Sequence, residues 1–397
     1  SLYGPGSANA DQGAAYVFVR NGTTWTQQQR LSASDGQLAS HFGTAVALDG
    51  NTAVIGAPDY QRPPLNLTTG AAYVFVRAGT SWTQQKQLLA ISGDGGDQFG
   101  AAVALDGDMA LIGAPGDDVG SGSSLKPDQG SAYTFRRSGT DWIPGNPLDS
   151  RFNGGGAGDA FGNAVALSGN TALIGSYLGG SIDVGWVYVF KQIAPGAWNY
   201  ETILFPSDNQ IKHFGVSLAL DGDMAIVGAS LKLFESGTDS RSAWVFAKVD
   251  NNWLQIRKFG PELGATPNLT NDRLGAAVAI DDGTVFVGAY QSDGTATDQG
   301  AVYAFALHDS QHVQTQKLNA NDGAATDQFG KAMTLSGDTL VSHNAGKLFI
   351  PASNQKILTG AVALQLLGPA FRFSTTIAAS APVVDGEVRG DLVVSGT

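Results

Sequence analysis

Ser353 and Lys356 stand three residues apart in the run Pro351-Ala352-Ser353-Asn354-Gln355-Lys356-Ile357. On a helix that spacing puts both side chains on one face, one turn apart. The chemistry such a pair can do is acyl transfer, because a serine hydroxyl becomes a useful nucleophile once a neutral, desolvated lysine amine within hydrogen-bond reach takes its proton. Residues 361–367 are helix formers and Gly368-Pro369 stops them, so a helix is predicted here. The competing reading of the pair is a buried helix start with no chemistry, since a bare Ser-x-x-Lys recurs by chance in chains of this size.

Other reactive constellations do not stand out. His41 and His213 each precede a Phe-Gly dipeptide, while His308, His312 and His343 are scattered. None has metal-ligand spacing, and no paired catalytic carboxylates, phosphate-binding glycine loop or Ser/His/Asp set accompanies them. The expectation is no metal and no cofactor.

Whatever positions Ser353 and Lys356 follows a long repeat. The glycines of six FG-type dipeptides are Gly43, Gly100, Gly162, Gly215, Gly275 and Gly330, with Leu274 replacing Phe once. Thirteen residues after each of the first five comes a Gly-Ala-Pro-like turn, at Gly56, Gly113, Gly175, Gly228 and Gly288. An aromatic segment follows, centred on Tyr16, Tyr73, Tyr133, Tyr188, Trp244 and Tyr303, and a tryptophan closes most units at Trp25, Trp82, Trp142, Trp198 and Trp253. A period of 50 to 60 residues signals a repeat architecture.

Each unit holds four segments of strand length, rich in Val, Ile, Tyr and Phe. The first two are joined by Asp49-Gly50-Asn51, Asp106-Gly107-Asp108, Ser168-Gly169-Asn170, Asp221-Gly222-Asp223 and Ser336-Gly337-Asp338, which is hairpin-turn chemistry. Four antiparallel strands per repeat suggest propeller blades. Side-chain size supports this: Gly and Ala dominate first strands, Val and Ile second strands, Tyr and Phe third strands, Trp fourth strands. Small residues fit where blades crowd at the axis, and aromatics fill the wider rim. The fold class expected is therefore all-β, a β-propeller of four-stranded antiparallel blades, followed by a short partial α/β segment.

The FG start, the GAP turn and the GAAYVF strand resemble the FG-GAP repeat of integrin α-chain heads and of many secreted bacterial proteins, over about residues 1–341. The resemblance implies a β-propeller used for adhesion and protein recognition. Integrin-type repeats often carry a calcium loop of Asp-x-Asp-x-Asp-Gly type, whose oxygens must number six to eight. The matching hairpins here have turns of two or three residues, so no calcium is expected at that position and the aspartates are read as turn formers. The chain enters mid-unit, with residues 13–20 as a third strand and 25–31 as a fourth. If residues 329–341 supply the missing first and second strands, six blades close a ring; because the family usually has seven, a lost N-terminal blade fits equally well.

After Gly337 the repeat grammar fails. The runs HNAGKLFIPASNQKILT, LGPAFRF at 367–373 and GEVRGDLVVSGT at 386–397 resemble the opening of the penicillin-binding, Ser-x-x-Lys D-alanyl-D-alanine carboxypeptidase family (penicillin-binding protein 4-like), covering about residues 336–397. The resemblance implies Ser353 as acylated nucleophile and Lys356 as its base. That family also uses a Ser-x-Asn motif and a Lys-Thr-Gly strand. No Lys-Thr-Gly occurs, and Ser168-Gly169-Asn170 is a propeller turn. The expected division is residues 1–341 as propeller and 342–397 as a truncated opening piece of the carboxypeptidase-like domain, inactive as it stands.

Composition bounds the partners. With a net charge of −12 and no basic patch, nucleic-acid binding is not expected, and no apolar run is long enough to span a membrane. No cysteine is present, so there are no disulfides, which together with the family resemblance points to a bacterial product, secreted, at the cell surface or periplasmic. The loops between second and third strands, at 59–69, 116–129, 177–184, 231–241 and 291–299, share a face with the connections between blades. Loops held by a rigid scaffold are where binding residues gather. A protein or glycan ligand is expected on that face, solvated connectors without a ligand being the other reading, and peptidoglycan is the partner implied by the C-terminal resemblance. A carboxypeptidase for which the propeller is a targeting module is the alternative function, and a junction of two unrelated reading frames at 336–338 a third account.

Overall fold

The structure, a computed structural model, describes residues 12–342 apart from 22–23, 65–66, 92, 152–153, 181–182, 208–212, 230–241, 261–272, 294–296, 309–310, 321–324 and 337–338. The predicted helix beyond residue 351 lies outside them. Among the described residues no helix is long and apolar enough to cross a membrane.

Five four-stranded antiparallel sheets follow one another along the chain, each ordered as its sequence runs. Blade 1 is Val46–Asp49, Thr52–Ala57, Ala71–Ala78 and Ser81–Leu88. Blade 2 is Ala102–Asp106, Met109–Ala114, Ser131–Ser138 and Asp141–Pro144. Blade 3 is Phe161–Ser168, Thr171–Ser176, Trp186–Ala194 and Ala197–Leu204. Blade 4 is Ser217–Asp221, Met224–Ala229, Ser242–Val249 and Asn252–Phe259. Blade 5 is Leu274–Asp281, Thr284–Ala289, Ala301–His308 and Gln311–Leu318. Two lone hairpins flank them, Ala15–Asn21 with Thr24–Leu31 and Met333–Ser336 with Thr339–Ser342. The first strands touch in sequence from blade 1 to blade 5, and Met333–Ser336 lies between the first strands of blades 5 and 1, closing the order. This is the expected β-propeller.

The glycines of the repeat are explained by blade-to-blade contact. Gly43 N–H donates to Gly56 O at 2.9 Å and Gly100 N–H to Gly113 O at 2.9 Å, so the FG and GAP glycines are tied within a blade. Between blades, a Cβ on Gly113 would lie 1.9 Å from the Gly162 carbonyl oxygen, the FG glycine of the next blade. The same approach recurs at Gly56, Gly175, Gly228 and Gly288. Neighbouring backbones near the axis come closer than any side chain allows.

Further out, the faces of adjacent blades interlock. The Tyr and Phe of one third strand pack on the Val and Ala face of the preceding blade; Tyr133 and Phe135, for example, share a core cluster with Val54, Ala72 and Val74. In blades 1 to 4 the FG phenylalanine meets its own blade's aromatic pair edge-on: Phe99 with Tyr133 and Phe135 at 5.4 and 6.0 Å, Phe161 with Tyr188 and Phe190 at 5.1 and 6.2 Å. Such pairs contribute roughly 0.5–1.5 kcal/mol beyond their burial.

The rim is bonded more specifically than size alone required. The Trp82 indole N–H donates to Gln28 on the preceding fourth strand at 3.0 Å, and that of Trp142 to Gln85 at 3.0 Å. Arg77 and Arg137 lie over those rings. Both glutamines stand three places after the tryptophan of their own strand. In blade 2 that place is Gly145, and the Trp198 indole nitrogen of blade 3 is buried without a hydrogen-bond partner among the described residues. The outer strand of blade 2 stops at Pro144, half the usual length, where a proline removes a ladder donor.

The hairpin turns also do more than reverse the chain. The Asp49 carboxylate accepts from Gly107 N–H in the next blade's turn at 2.7 Å, Ser168 Oγ from Gly222 N–H at 3.0 Å, and Asp221 from Asp282 N–H at 2.8 Å. Asp106 accepts from Gly169 N–H in the same way. These turn formers therefore link blades as well, committing their oxygens to backbone donors.

Candidate functional site

The opposite end of the propeller carries the long segments. Second strands end and first strands begin there, so the loops that follow the GAP turns lie beside the connectors that precede the FG dipeptides. Short elements are built into them: a two-residue ladder of Gln61–Arg62 with Leu67–Thr68 in blade 1, and a 3-10 turn, Gly122–Ser124, in blade 2.

Connectors end in one repeated device. The residue before each FG-type dipeptide is left-handed: His41 (φ 52°), Gln98 (57°), Ala160 (55°), His213 (60°), Arg273 (57°) and Gln328 (57°). For a non-glycine residue this conformation is costly. It turns the following Phe N–H onto the preceding blade, as when Phe99 N–H donates to Thr69 O at 3.0 Å and Phe161 N–H to Gln129 O at 2.8 Å. Recurrence in every unit makes it part of the architecture, and it fixes the place from which six variable side chains start.

These side chains meet residues that follow the GAP turns. His41 Nδ1 lies 2.5 Å from Asp59 Oδ2, both half-exposed. The His213 ring stands edge-on to Tyr177 at 5.3 Å. Arg273 donates from Nε to Gln291 Oε1 at 2.8 Å and sits 5.9 Å from the Tyr290 ring, with Lys331 5.5 Å away over the same ring. The sequence marked His41 and His213 as isolated, placed Asp59 and Tyr177 at the start of expected binding loops without partners for them, and passed over Arg273, Tyr290 and Lys331. The available signal was position: each lies next to an FG dipeptide or just past a GAP turn. Among the described residues no group of three or more His, Asp or Glu side chains could hold a metal ion.

Buried carboxyls gather at the same end, between blades 1 and 2. Asp97 is only 1% exposed; burial pushes its pKa up to about 7, the charges of Asp117, Asp94 and Asp118 add to the rise, and a 2.8 Å bond from Asp94 N–H opposes it. Asp117 is also raised by burial, against hydrogen bonds from Ser131 and from Tyr133, whose hydroxyl donates at 2.7 Å. A carboxyl neutral near pH 7 can act as a proton donor, which makes such groups candidates for chemistry. The geometry reads otherwise. Asp159 repeats the turn in the next connector, accepting from Gly156 N–H at 2.7 Å, so these aspartates build connectors. A groove of about 290 Å³ lies elsewhere, on the rim, lined by Ile91, Arg136, Ile143, Pro144, Gly145 and Pro195 among others.

Ser353 and Lys356 lie outside the described residues, so the predicted nucleophile and base have no described geometry. The residues around them do have relatives. The D-Ala-D-Ala carboxypeptidase 3 (S13) family matches residues 296–397, a range that opens inside blade 5. A D-alanyl-D-alanine carboxypeptidase of Actinomadura sp. (strain R39) is 45% identical over 64 residues, which is 16% of this chain and 12% of that protein. The chain thus spans about an eighth of the curated relative it matches.

The FG-GAP repeat matches residues 25–75, 82–135, 153–190, 198–246 and 262–305, together more than half of the chain. The matched stretches are the ones whose glycines, phenylalanines and aromatic third strands build the five blades, and the chain belongs to the FG-GAP repeat family.

Proposed function

We propose that this chain is a bacterial secreted or cell-surface binding module that holds a protein or glycan ligand on the loop face of its propeller. The observation that carries the reading is the difference between the two faces. On one, short turns spend their carboxylates on the next blade's amides. On the other, three of the left-handed side chains, His41, His213 and Arg273, meet residues just past the GAP turns, with Tyr177, Tyr290, Arg273 and Lys331 offering aromatic and cationic contacts. Stacking on aromatic faces and hydrogen bonding from fixed side chains suit a sugar or a peptide. In this reading the propeller is residues 1–341, and 342–397 is a separate segment whose relatives point to peptidoglycan as the first glycan to test; no nucleic-acid partner and no membrane span are part of it.

Purified peptidoglycan is a direct probe. Replacing residues 61–68 and 118–126 with short Gly-Ser turns should lower retention on insoluble peptidoglycan about tenfold, equivalent to about 1.4 kcal/mol, with the melting temperature nearly unchanged. Undiminished retention in this variant and in Tyr177→Ala/Tyr290→Ala would remove the loop face from the account.

The carboxypeptidase match favours a second reading, in which Ser353 is the nucleophile and Lys356 its base in a serine-type carboxypeptidase acting on peptidoglycan. Acylation needs the substrate carboxylate to be held, and these 397 residues contain no Lys-Thr-Gly strand to hold it. Incubation with a fluorescent penicillin is therefore expected to leave this chain unlabelled, like its Ser353→Ala variant. Labelling of the parent that disappears in the variant would establish an acyl-enzyme site and overturn the preference for binding.

A further inference from the structure

Three places in the repeat change together where the rim of blade 2 meets blade 3. In blade 1 the third-strand residues that face the next blade are Val74 and Val76, both packed on the core of blade 2, and the fourth strand offers Gln85 to the Trp142 indole N–H. The registers of the two blades, with Tyr73 opposite Ile55 and Tyr133 opposite Ile112, and with Trp82 opposite Arg77 and Trp142 opposite Arg137, make Thr134, Arg136 and Gly145 the counterparts in blade 2. A hydroxyl, a guanidinium and a bare backbone stand in for two apolar side chains and an amide.

The exchange opens a groove and leaves polar groups unmet around it. Thr134 is 1% exposed and its hydroxyl has no hydrogen-bond partner; it lies under Gly145, where an added Cβ would come within 2.4 Å of Oγ1. With no side chain at 145, the rim groove of about 290 Å³ forms there, and half-buried Arg136 lines it beside its cross-strand partner Ile143. The walls are aliphatic and turned outward: Ile91 is 62% exposed and Ile143 45%, with Pro144 and Pro195 beside them. Nearby charges are already committed. Arg137 donates to Thr52 and covers the Trp142 ring, and Asp141, the acid of the outer strand, is paired with Lys86 at 2.9 Å. Arg136 has neither an ion pair nor a hydrogen bond among the described residues.

A guanidinium between aliphatic walls, left without a carboxylate in a chain of net charge −12, is complementary to one brought by a ligand. Its planar fork matches a carboxylate through two parallel hydrogen bonds, and partial burial strengthens the pair. The volume is at the lower end of the range for ligand pockets and suits a small body. We propose that this rim groove is a binding site, apart from the loop face, for a carboxylate carried on a short aliphatic body. Arg136 takes the carboxylate, and Ile91, Ile143, Pro144 and Pro195 cover the aliphatic part. The last residue of a peptide and a free branched-chain acid share that chemistry, and the test separates them.

The probe is a fluorescein-labelled Gly-Gly-Val-Leu peptide with a free C-terminus, followed by fluorescence anisotropy at low salt. On the unaltered chain its amidated form should bind about tenfold more weakly, because the charge-assisted pair is lost. Arg136→Gln should bring the free acid down to the level of the amide, and Arg136→Lys, which keeps the charge without the fork, should fall between. Added salt should weaken the acid and leave the amide as it was. Ile143→Asp sets a carboxylate of the chain's own directly across from Arg136 at an exposed strand position, and should abolish binding of the acid with the melting temperature nearly unchanged. Isocaproate that displaces the peptide at similar concentration makes the free acid a sufficient ligand, and displacement by the peptide acid alone makes it a chain terminus; either result supports the carboxylate site. Equal affinity for acid and amide, full binding by folded Arg136→Gln or Ile143→Asp, or no binding of any probe overturns it. None of these results bears on peptidoglycan retention by the loop face.

Discussion

Gly113→Ala should unfold this propeller or cost it about 3 kcal/mol or more, while Gly107→Ala, six residues earlier, should cost about 1 kcal/mol. Both changes add one methyl group. At Gly107 nothing lies within 4 Å of the added carbon, and the penalty is that of a left-handed φ of 55° in a residue with a Cβ. At Gly113 the carbon would lie 1.9 Å from the Gly162 oxygen, which is backbone of the neighbouring blade and not the end of a flexible side chain. No rotamer relieves that contact, so blades 2 and 3 must separate. Overpacking of a core by a methylene typically costs 1–3 kcal/mol with flexible neighbours, and here the neighbour is rigid. Urea denaturation of both variants against the parent checks the contrast. Equal losses would show that the turn, and not the blade contact, is what the repeat glycines protect.

That contrast also shows which parts of the fold were legible in sequence. The blade period, the strand order and the hairpin turns follow from glycines and aromatics at fixed spacing, because one backbone contact recurs and admits one residue type. The gradient from alanine at the axis to tryptophan at the rim was readable for the same reason. The links through Asp49 to Gly107 and Gln28 to Trp82 were not. Each joins residues more than fifty apart in adjacent blades, and an Asp-Gly turn or a Thr-Gln-Gln run looks the same whether or not its side chain reaches a neighbour. The short outer strand of blade 2 was foreshadowed only by Pro144 and Pro147.

On the loop face less was legible. The sequence located the loops, since Gly, Ser and Asp accumulate there, but it treated His41 and His213 as isolated. Their partners Asp59 and Tyr177 are fixed by the left-handed residue before each FG dipeptide, a conformation that leaves no mark on composition: His, Gln, Ala and Arg all occupy it. The Ser353 and Lys356 pair stands apart from this. Its reading rests on sequence and on the carboxypeptidase relatives, and the repeat supplies nothing to position it.

Asp97→Asn should stabilise the protein at pH 8 by about 2–4 kcal/mol and leave it unchanged near pH 4. In the folded chain Asp97 titrates at about 7, whereas an unfolded aspartate titrates near 3.8. Below about pH 4 the group is neutral in both states and burial costs nothing extra. Between 4 and 7 the unfolded chain loses the proton and the folded chain keeps it, so stability falls as pH rises. Above 7 the loss is complete, and a shift of about three units at 1.36 kcal/mol each sets its upper bound near 4 kcal/mol. Asparagine keeps the volume and an oxygen for the Asp94 N–H, but cannot ionise, so it removes this slope alone. Burial is the main cause of the rise at Asp97, and the carboxyls of Asp117, Asp94 and Asp118 add to it; Asp117 is itself raised by burial, which the hydrogen bond from Tyr133 opposes. Asp117→Asn should remove one of those added charges, shift the titration of Asp97 toward the usual carboxylate range, and so bring down the upper end of the slope while its lower end, set by the unfolded chain, stays in place. Urea midpoints from pH 4 to 8 measure both effects. If Asp97→Asn changes stability by the same amount at each pH, Asp97 is ionised in the folded protein and the buried cluster is solvated more fully than its 1% exposure implies.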